Sequence, residues 1–194
     1  MPSGSWELVA MTPRLILLCH GATPALRAAG FPLDEGLDAR GLAAAQKLEG
    51  HFGRPARILS SPALRARQTA QALGLDPDID EALRECDHGR WAGLALEAVA
   101  AAEPAALGAW LSDPDASPHG GESVAGLIAR VGTWLDGELF DGYTLAITHA
   151  SVLRAAVVHA LGAEARSFWR IEAGPLARAD LRPSHRGWSL RLEL

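Results

Sequence analysis

Lysine is almost missing from this chain: of 18 basic residues only Lys47 is lysine, and the other 17 are arginine. Cysteine is scarce too. Cys19 and Cys86 are too few for a disulfide scaffold, which points to a reducing, cytoplasmic home. No uninterrupted apolar run approaches the ~20 residues that a bilayer span requires. The first residues, Met1–Met11, lack a basic n-region and contain Glu7, so they make a poor secretory signal. A formal net charge of -5 supplies no electrostatic reason to expect nucleic acid or a membrane surface as partner. What is present is 194 residues, 48% of them hydrophobic and spread along the whole chain, which excludes disorder and suits one domain. A GC-rich coding composition accounts for most of the arginine, and for the abundant alanine. The sharper reading concerns only arginines near reactive residues, where a planar fork suits oxyanions better than an ammonium does.

The pattern of elements comes next. Leu15–Cys19 is a continuous apolar run broken by His20-Gly21, as in a strand buried on both faces of a parallel sheet. Asp38 is a plausible N-cap for a helix reaching about Phe52, stopped by Gly53. Arg57–Ser60 reads as a second strand, and Pro62 opens a helix to about Leu73. Residues 76–93 read mostly as loop. Helices are predicted at about 95–110 and from Ser123 to Leu135. Tyr143–Thr148 is a third strong strand, ending at His149 and followed by a helix over Ser151–Leu161. Weaker strands are expected around Phe168–Glu172 and Ser189–Glu193. Strands alternating with helices predict a three-layer α/β/α sandwich with a largely parallel central sheet. The expected domain covers 11–194, with a small cap segment near 90–122. Residues 1–10 read as an N-terminal extension, and Met11 as an alternative start.

His20 and His149 each follow directly on a buried strand, and ligands of such sheets bind beyond the carboxyl ends of the strands. Both imidazoles therefore converge on one edge. Arg65, one turn into the helix after Ser60-Ser61, leans over the same edge. Two imidazoles, a guanidinium and nearby helix N-termini make an anion site, for which phosphate is a common ligand.

These pieces resemble the histidine phosphatase superfamily, the phosphoglycerate-mutase-like fold. Leu18-Cys19-His20-Gly21-Ala22-Thr23 is similar to its Arg-His-Gly-x-Thr signature, and Ser60–Ala70, with Arg65, to its second motif. Leu83-Arg84-Glu85 with Gly89-Arg90-Trp91-Ala92-Gly93 resembles its acid-bearing loop. Gly120-Gly121-Glu122-Ser123 is similar to its Gly-Glu-Ser turn, and His149-Ala150 stands where the family usually has His-Gly. The five blocks keep the family's order over about 14–154. The resemblance implies a metal-independent phosphomonoesterase without a cofactor. His20 would be the nucleophile, and Glu85 the proton donor and acceptor. His149 and Arg65 would hold the phosphoryl oxygens, with Thr23, Gly21 and Arg27 as further substrate-binding residues. Glu85 would need a raised pKa, which a neighbouring phosphate supplies by repulsion. The implied partner is a small phosphorylated substrate, with a homodimer left open as the assembly.

One departure stands out. The family normally has arginine immediately before the nucleophilic histidine, where this chain has Cys19. Loss of one oxyanion donor costs ~100- to 1,000-fold in turnover. A slower enzyme, a substituting arginine and a site without catalysis are the three outcomes. Among substitutes, Arg14 begins the first strand, about 16 Å upstream, and Arg67 points away from Arg65. Arg154 sits about one turn into its helix, and Arg27 lies in a loop able to fold back; Arg27 is the preferred candidate. A cysteine phosphatase would need Cys-x5-Arg, and the sixth residue after Cys19 is Ala25.

Blander readings accompany several residues. Thr23 suits a loop cap as well as a phosphate ligand, Glu122 and Ser123 suit a helix start, and His119 suits a solvated loop. His51, His88, His159 and His185 carry no motif. A two-histidine, one-carboxylate metal site from His20, His149 and Glu85 has no supporting spacing. The six scattered tryptophans suit packing rather than base stacking. The competing functions are a phosphate-binding or regulatory pseudoenzyme and, less favoured, a phosphoglycerate mutase, whose usual extra segments find no room here.

Overall fold

A computed structural model describes residues 13–137, 142–185 and 187–192. The expectations about residues 1–10 and about Met11 as a start lie outside that range. Two parallel neighbours form the centre of the sheet: β1 (Arg14–Cys19) and β4 (Tyr143–Thr148), registered so that Cys19 lies opposite Thr148. On the far side of β4 come β2 (Arg57–Ser60) and the short β3 (Asp78–Ile79), both parallel. On the far side of β1 come β5 (Arg178–Ser184), antiparallel to β1, and β6 (Gly187–Arg191), antiparallel to β5. The order is β3-β2-β4-β1-β5-β6.

The apolar run of β1 is continuous because both its faces are covered. Leu15 and Leu17 pack under α6 (Val124–Gly137) and α7 (Ala150–Ala160). Their neighbours Ile16 and Leu18 turn the opposite way, onto Ala66 and Ala70 of α3 (Leu64–Ala72), beside which lies α2 (Ala39–Gln46). Helices on both faces of a mostly parallel sheet make the expected α/β/α sandwich. Each fully buried leucine of this frame contributes roughly 1.5–3 kcal/mol.

The sequence expectations miss in places where a local signal is weak or is overridden. The predicted helix over 95–110 is two helices, α4 (Leu96–Ala102) and α5 (Pro104–Ser112), because Pro104 cannot continue the first and opens the second. The strand expected around Phe168–Glu172 is a 3-10 helix, Ala165–Arg170. There Phe168 faces the main core, while Trp169 meets Trp110 edge-on with centroids 4.5 Å apart. The true strand is β5, which alternates Ala179 and Leu181 inward but is masked by charge and by Pro183. A one-turn helix, α1 (Pro24–Arg27), and two 3-10 turns at Glu81–Leu83 and Gly89–Trp91 occupy segments read as loop. Beside the sheet, Phe31, Trp91, Val99, Leu107 and Trp110 form a separate apolar cluster that fixes α4 and α5.

Candidate active site

The β1–β4 register carries His20 and His149 to one place. The His20 backbone N–H donates to the Thr148 carbonyl at 2.9 Å, and the two rings meet edge-on with centroids 5.2 Å apart. β2 runs beside β4, so Ser61 arrives next to His149, and the turn into α3 brings Arg65 to His20. The loop after the Glu81–Leu83 turn is tied to the same edge by Thr148, whose hydroxyl donates to the Leu83 carbonyl at 2.8 Å. Glu85 is thereby placed against the histidines.

The hydrogen bonds fix the chemistry of His20. Nδ1 lies 2.7 Å from the Gly21 carbonyl oxygen, which can only accept, so Nδ1 carries the proton and Nε2 keeps its lone pair. Arg65 Nε donates to that Nε2 at 3.2 Å. Burial pushes the imidazole's pKa down from the ordinary 6.5 to about 4, with the neighbouring His149 and Arg65 charges adding to the effect and the Gly21 carbonyl opposing it. A neutral imidazole with a free Nε2 is a nucleophile.

Arg65 is 3% exposed and reaches three ways: to His20, to the Leu33 carbonyl at 2.9 Å and to Glu85 Oε2 at 3.6 Å. His149 Nε2 sits 2.8 Å from Ser61 Oγ, which turns Nδ1 toward Glu85 Oε2 at 3.3 Å. Glu85 Oε1 accepts from the Ser151 hydroxyl and from the Cys86 N–H. Burial by itself would raise the Glu85 carboxyl, but its contacts with His149 and Arg65 outweigh it and hold the group well below the usual carboxylate range. The raised value that catalysis asks for is therefore not a property of the ligand-free site.

His20, Glu85 and His149 offer ligand atoms within 4.8 Å of one another, a spacing that a metal ion could use. The Arg65 guanidinium lies against two of the three, so a cation placed there would face a fixed positive charge. The arrangement favours an anion.

Other sequence candidates are placed differently. Gly21 has both backbone groups engaged, its N–H on Thr69 Oγ1 at 3.0 Å and its carbonyl on His20, so it orients the His20 ring rather than facing a ligand. Thr23 is buried and caps α1, accepting from the Leu26 N–H at 3.2 Å. Arg27, the preferred substitute for the missing arginine, ends α1 and forks onto Asp38, with Nη2 3.2 Å from Oδ1. A carboxylate at hand holds it outside the cluster. Arg154 lies over the Phe168 ring at 5.7 Å, with its Nε buried and without a hydrogen-bond partner. His119 is no solvated loop residue: it is 2% exposed beneath Trp91, with Nδ1 accepting from the Gly121 N–H at 3.0 Å.

Cys19 leaves a space. A partly open cavity of about 90 Å³ lies beside it, reaching His20, Thr23, Glu85, Ala150 and Gly174. The thiol is pushed up to about 12, chiefly by burial and then by the Glu85 charge, so it adds no charge of its own.

Sequence reasoning missed the supports of the site. Ser151 follows His149 by two residues, and Thr69 stands one helical turn beyond Arg65; both spacings are readable once the catalytic candidates are named. Arg130 had no such signal. It forks onto Glu122, with both contacts at 2.8 Å, and donates to the Ala82 carbonyl at 2.7 Å, bracing the acid loop from α6.

Fold and site together define an α/β protein with a buried, histidine-rich anion pocket at the ends of its parallel strands. The chain belongs to the histidine phosphatase superfamily (branch 1), whose family model matches residues 15–193. It is 32% identical over 190 residues to a bifunctional protein of Mycobacterium tuberculosis, covering 87% of this chain and 50% of the relative. The chain thus spans about half the length of the first curated relatives it matches. It is 30% identical to phosphoserine phosphatase 1 of Hydrogenobacter thermophilus, covering 80% of each chain. It is 33% identical to glucosyl-3-phosphoglycerate phosphatase of Mycobacterium tuberculosis, covering 73% of this chain and 72% of the relative. A solved structure of the mycobacterial glucosyl-3-phosphoglycerate phosphatase complexed with VO3 superposes with a TM-score of 0.80 at 28% identity, covering 93% of this chain and 98% of that one.

Proposed function

We propose that the protein hydrolyses a small phosphomonoester through a phosphohistidine formed on His20. The observation that carries this reading is the Gly21 carbonyl on His20 Nδ1, which leaves Nε2 as the nucleophilic nitrogen beside Arg65. His20 Nε2 attacks phosphorus in line, and the N–P bond forms as the ester P–O bond breaks. Arg65 and the Nδ1 face of His149 hold the equatorial oxygens, whose charge must be carried throughout the transfer. A phosphoryl dianion beside Glu85 opposes the charges that keep its pKa low and raises it, so that the acid can protonate the departing alkoxide. Glu85 then takes a proton from water as that water attacks the phosphohistidine, and phosphate leaves. No step calls for a metal or cofactor, and the two buried free thiols suit a cytoplasmic setting.

The chain's phosphatase relatives support the reaction class. A second reading, phosphate binding without turnover, is favoured by the uncharged Cys19 beside the nucleophile. Metal-free hydrolysis of 4-nitrophenyl phosphate separates the two. Wild type should turn over, His20→Ala should not, and wild type quenched in alkaline denaturant should carry an alkali-stable, acid-labile phosphoryl group. Wild type with no more turnover than His20→Ala on a broad ester panel refutes hydrolysis.

A further inference from the structure

Arg65 is the permanent cation of the catalytic cluster, and the Glu85 carboxylate already answers it at 3.6 Å. A phosphoryl dianion would arrive beside that carboxylate, and its equatorial charge has to be held throughout transfer. The cavity of about 90 Å³ beside Cys19 borders His20 and Glu85 but has no cation in its wall. Its lining on the β1 and α7 side is Cys19 and Ala150, both small, the first a neutral thiol.

A guanidinium stands one helical turn behind that wall. Arg154 follows Ala150 by four residues and Ser151 by three on α7, so the three share one face of the helix. Ala150 lines the cavity and the Ser151 hydroxyl donates to Glu85, which makes this the face that α7 turns to the site. One turn is a rise of about 5.4 Å, within the length of an arginine side chain. The charges also feel one another: Arg154 lowers the Cys19 thiol against burial, and Cys19 and Glu85 favour the charged guanidinium.

In the ligand-free protein Arg154 rests on an apolar surface. Its guanidinium carbon lies 5.7 Å from the centre of the Phe168 ring, and its Nε is buried without a hydrogen-bond partner. It makes no hydrogen bond or ion pair among the described residues, and the exposed Glu172, whose charge also favours it, does not bond to it. Arg27, Arg90 and Arg130, by contrast, each hold a carboxylate. A buried donor without an acceptor is costly, and a ring contact recovers only part of that cost. An oxyanion in the cavity would supply the acceptor. We propose that Arg154 is a second phosphate-binding guanidinium, which turns from Phe168 past Ala150 and donates to the phosphoryl oxygen on the Cys19 side. The role rests on the reading that His20 receives a phosphoryl group, but anion binding and turnover are measured apart.

Calorimetry with inorganic phosphate reads the anion without turnover. Arg154→Met keeps an apolar stem against Phe168 and removes the charge. It should melt no lower than wild type, because the unpaired buried cation is gone, yet bind phosphate about tenfold more weakly. Arg154→Lys should recover part of that affinity. Cys19→Arg should tighten phosphate binding by a larger factor in Arg154→Met than in wild type, because both guanidiniums serve the same oxygens. Unchanged phosphate affinity in Arg154→Met, or an equal gain from Cys19→Arg in both backgrounds, overturns the assignment. Phosphate binding that depends on Arg154 in a protein that hydrolyses no ester would instead overturn the phosphatase reading and leave the anion site standing.

Discussion

The Gly21 N–H donates to Thr69 Oγ1 at 3.0 Å, and the same hydroxyl donates to the Arg65 carbonyl at 2.7 Å. One fully buried threonine thereby joins the loop that orients His20 to the helix that carries Arg65. Neither bond touches a ligand. Both set the angle at which guanidinium and imidazole meet, 3.2 Å apart.

Replacing this threonine should separate positioning from binding. Thr69→Val keeps the shape but leaves the Gly21 N–H buried without an acceptor, a cost of about 1–3 kcal/mol. The expected result is a tenfold or greater fall in kcat for 4-nitrophenyl phosphate, a smaller change in KM, and recovery of most of the rate in Thr69→Ser. Equal kcat values for valine and serine variants would show that the hydroxyl does not govern alignment.

The cavity beside Cys19 makes a second prediction. About 90 Å³ of space adjoins the thiol, and it borders both His20 and Glu85. Cys19→Arg extends a side chain into that space and adds a cation where the thiol is neutral. Inhibition by inorganic phosphate should tighten about tenfold, with a gain in kcat/KM of the same order or more. A loss of activity in a folded Cys19→Arg protein would mean that the space serves another part of the substrate.

The sequence reading succeeded where residue type, spacing and strand ends coincide. His20 and His149 are legible because each terminates an apolar run, and the register of two adjacent strands then has to bring them together. Arg65 is legible because a short strand and a Pro-marked turn set its distance from the sheet edge. Arg27 failed for a reason the sequence does not display. Asp38, eleven positions away, reads only as the N-cap of α2, and nothing in the chain tells that its carboxylate also holds Arg27. His119 failed similarly, since Pro, His and Gly in succession resemble a solvated turn until Trp91 and Trp110 close over it. Glu85 lies at the cluster, but its charge state depends on partners from several different elements and could not be read from its own loop.

The pH dependence follows from His20. Its imidazole is neutral in the fold down to about pH 4, whereas an unfolded histidine protonates near 6.5. Between those values the unfolded chain binds the extra proton, so stability rises with pH through this window and the histidine's penalty is absent above 6.5. The full effect is about 3 kcal/mol on acidification from neutral to pH 4. Glu85, held low, adds a further loss as pH falls below the ordinary carboxylate range. Urea midpoints at pH 5 and 7 should differ clearly in wild type and less in His20→Gln, and the His20 ring resonances should titrate near 4. A midpoint near 6.5 in the folded protein would refute the neutral nucleophile at mildly acidic pH.

Gly41 tests how tightly the nucleophile loop is built. A Cβ on this residue would stand 2.2 Å from the Ala22 carbonyl oxygen and 2.7 Å from the Ala22 nitrogen, both backbone atoms that no rotamer change can clear. Opposite it, a Cβ on Gly21 would lie 3.0 Å from the Gly41 carbonyl oxygen. The first turn of α2 therefore rests on the backbone that follows His20, fastened by the Asp38 N–H donating to the Ala22 carbonyl at 3.0 Å. Gly41→Ala must push α2 or that loop aside, at a cost of about 1–3 kcal/mol. A lower melting temperature should accompany a fall in kcat, because relief of the clash moves Gly21, whose carbonyl sets the His20 tautomer. The conservative control is Ala45→Gly on the same helix, which loosens α2 without touching the loop. It should lower the melting temperature while leaving kcat per folded molecule near wild type. If both variants lose kcat alike, helix stability rather than the Gly41–Ala22 contact places the nucleophile.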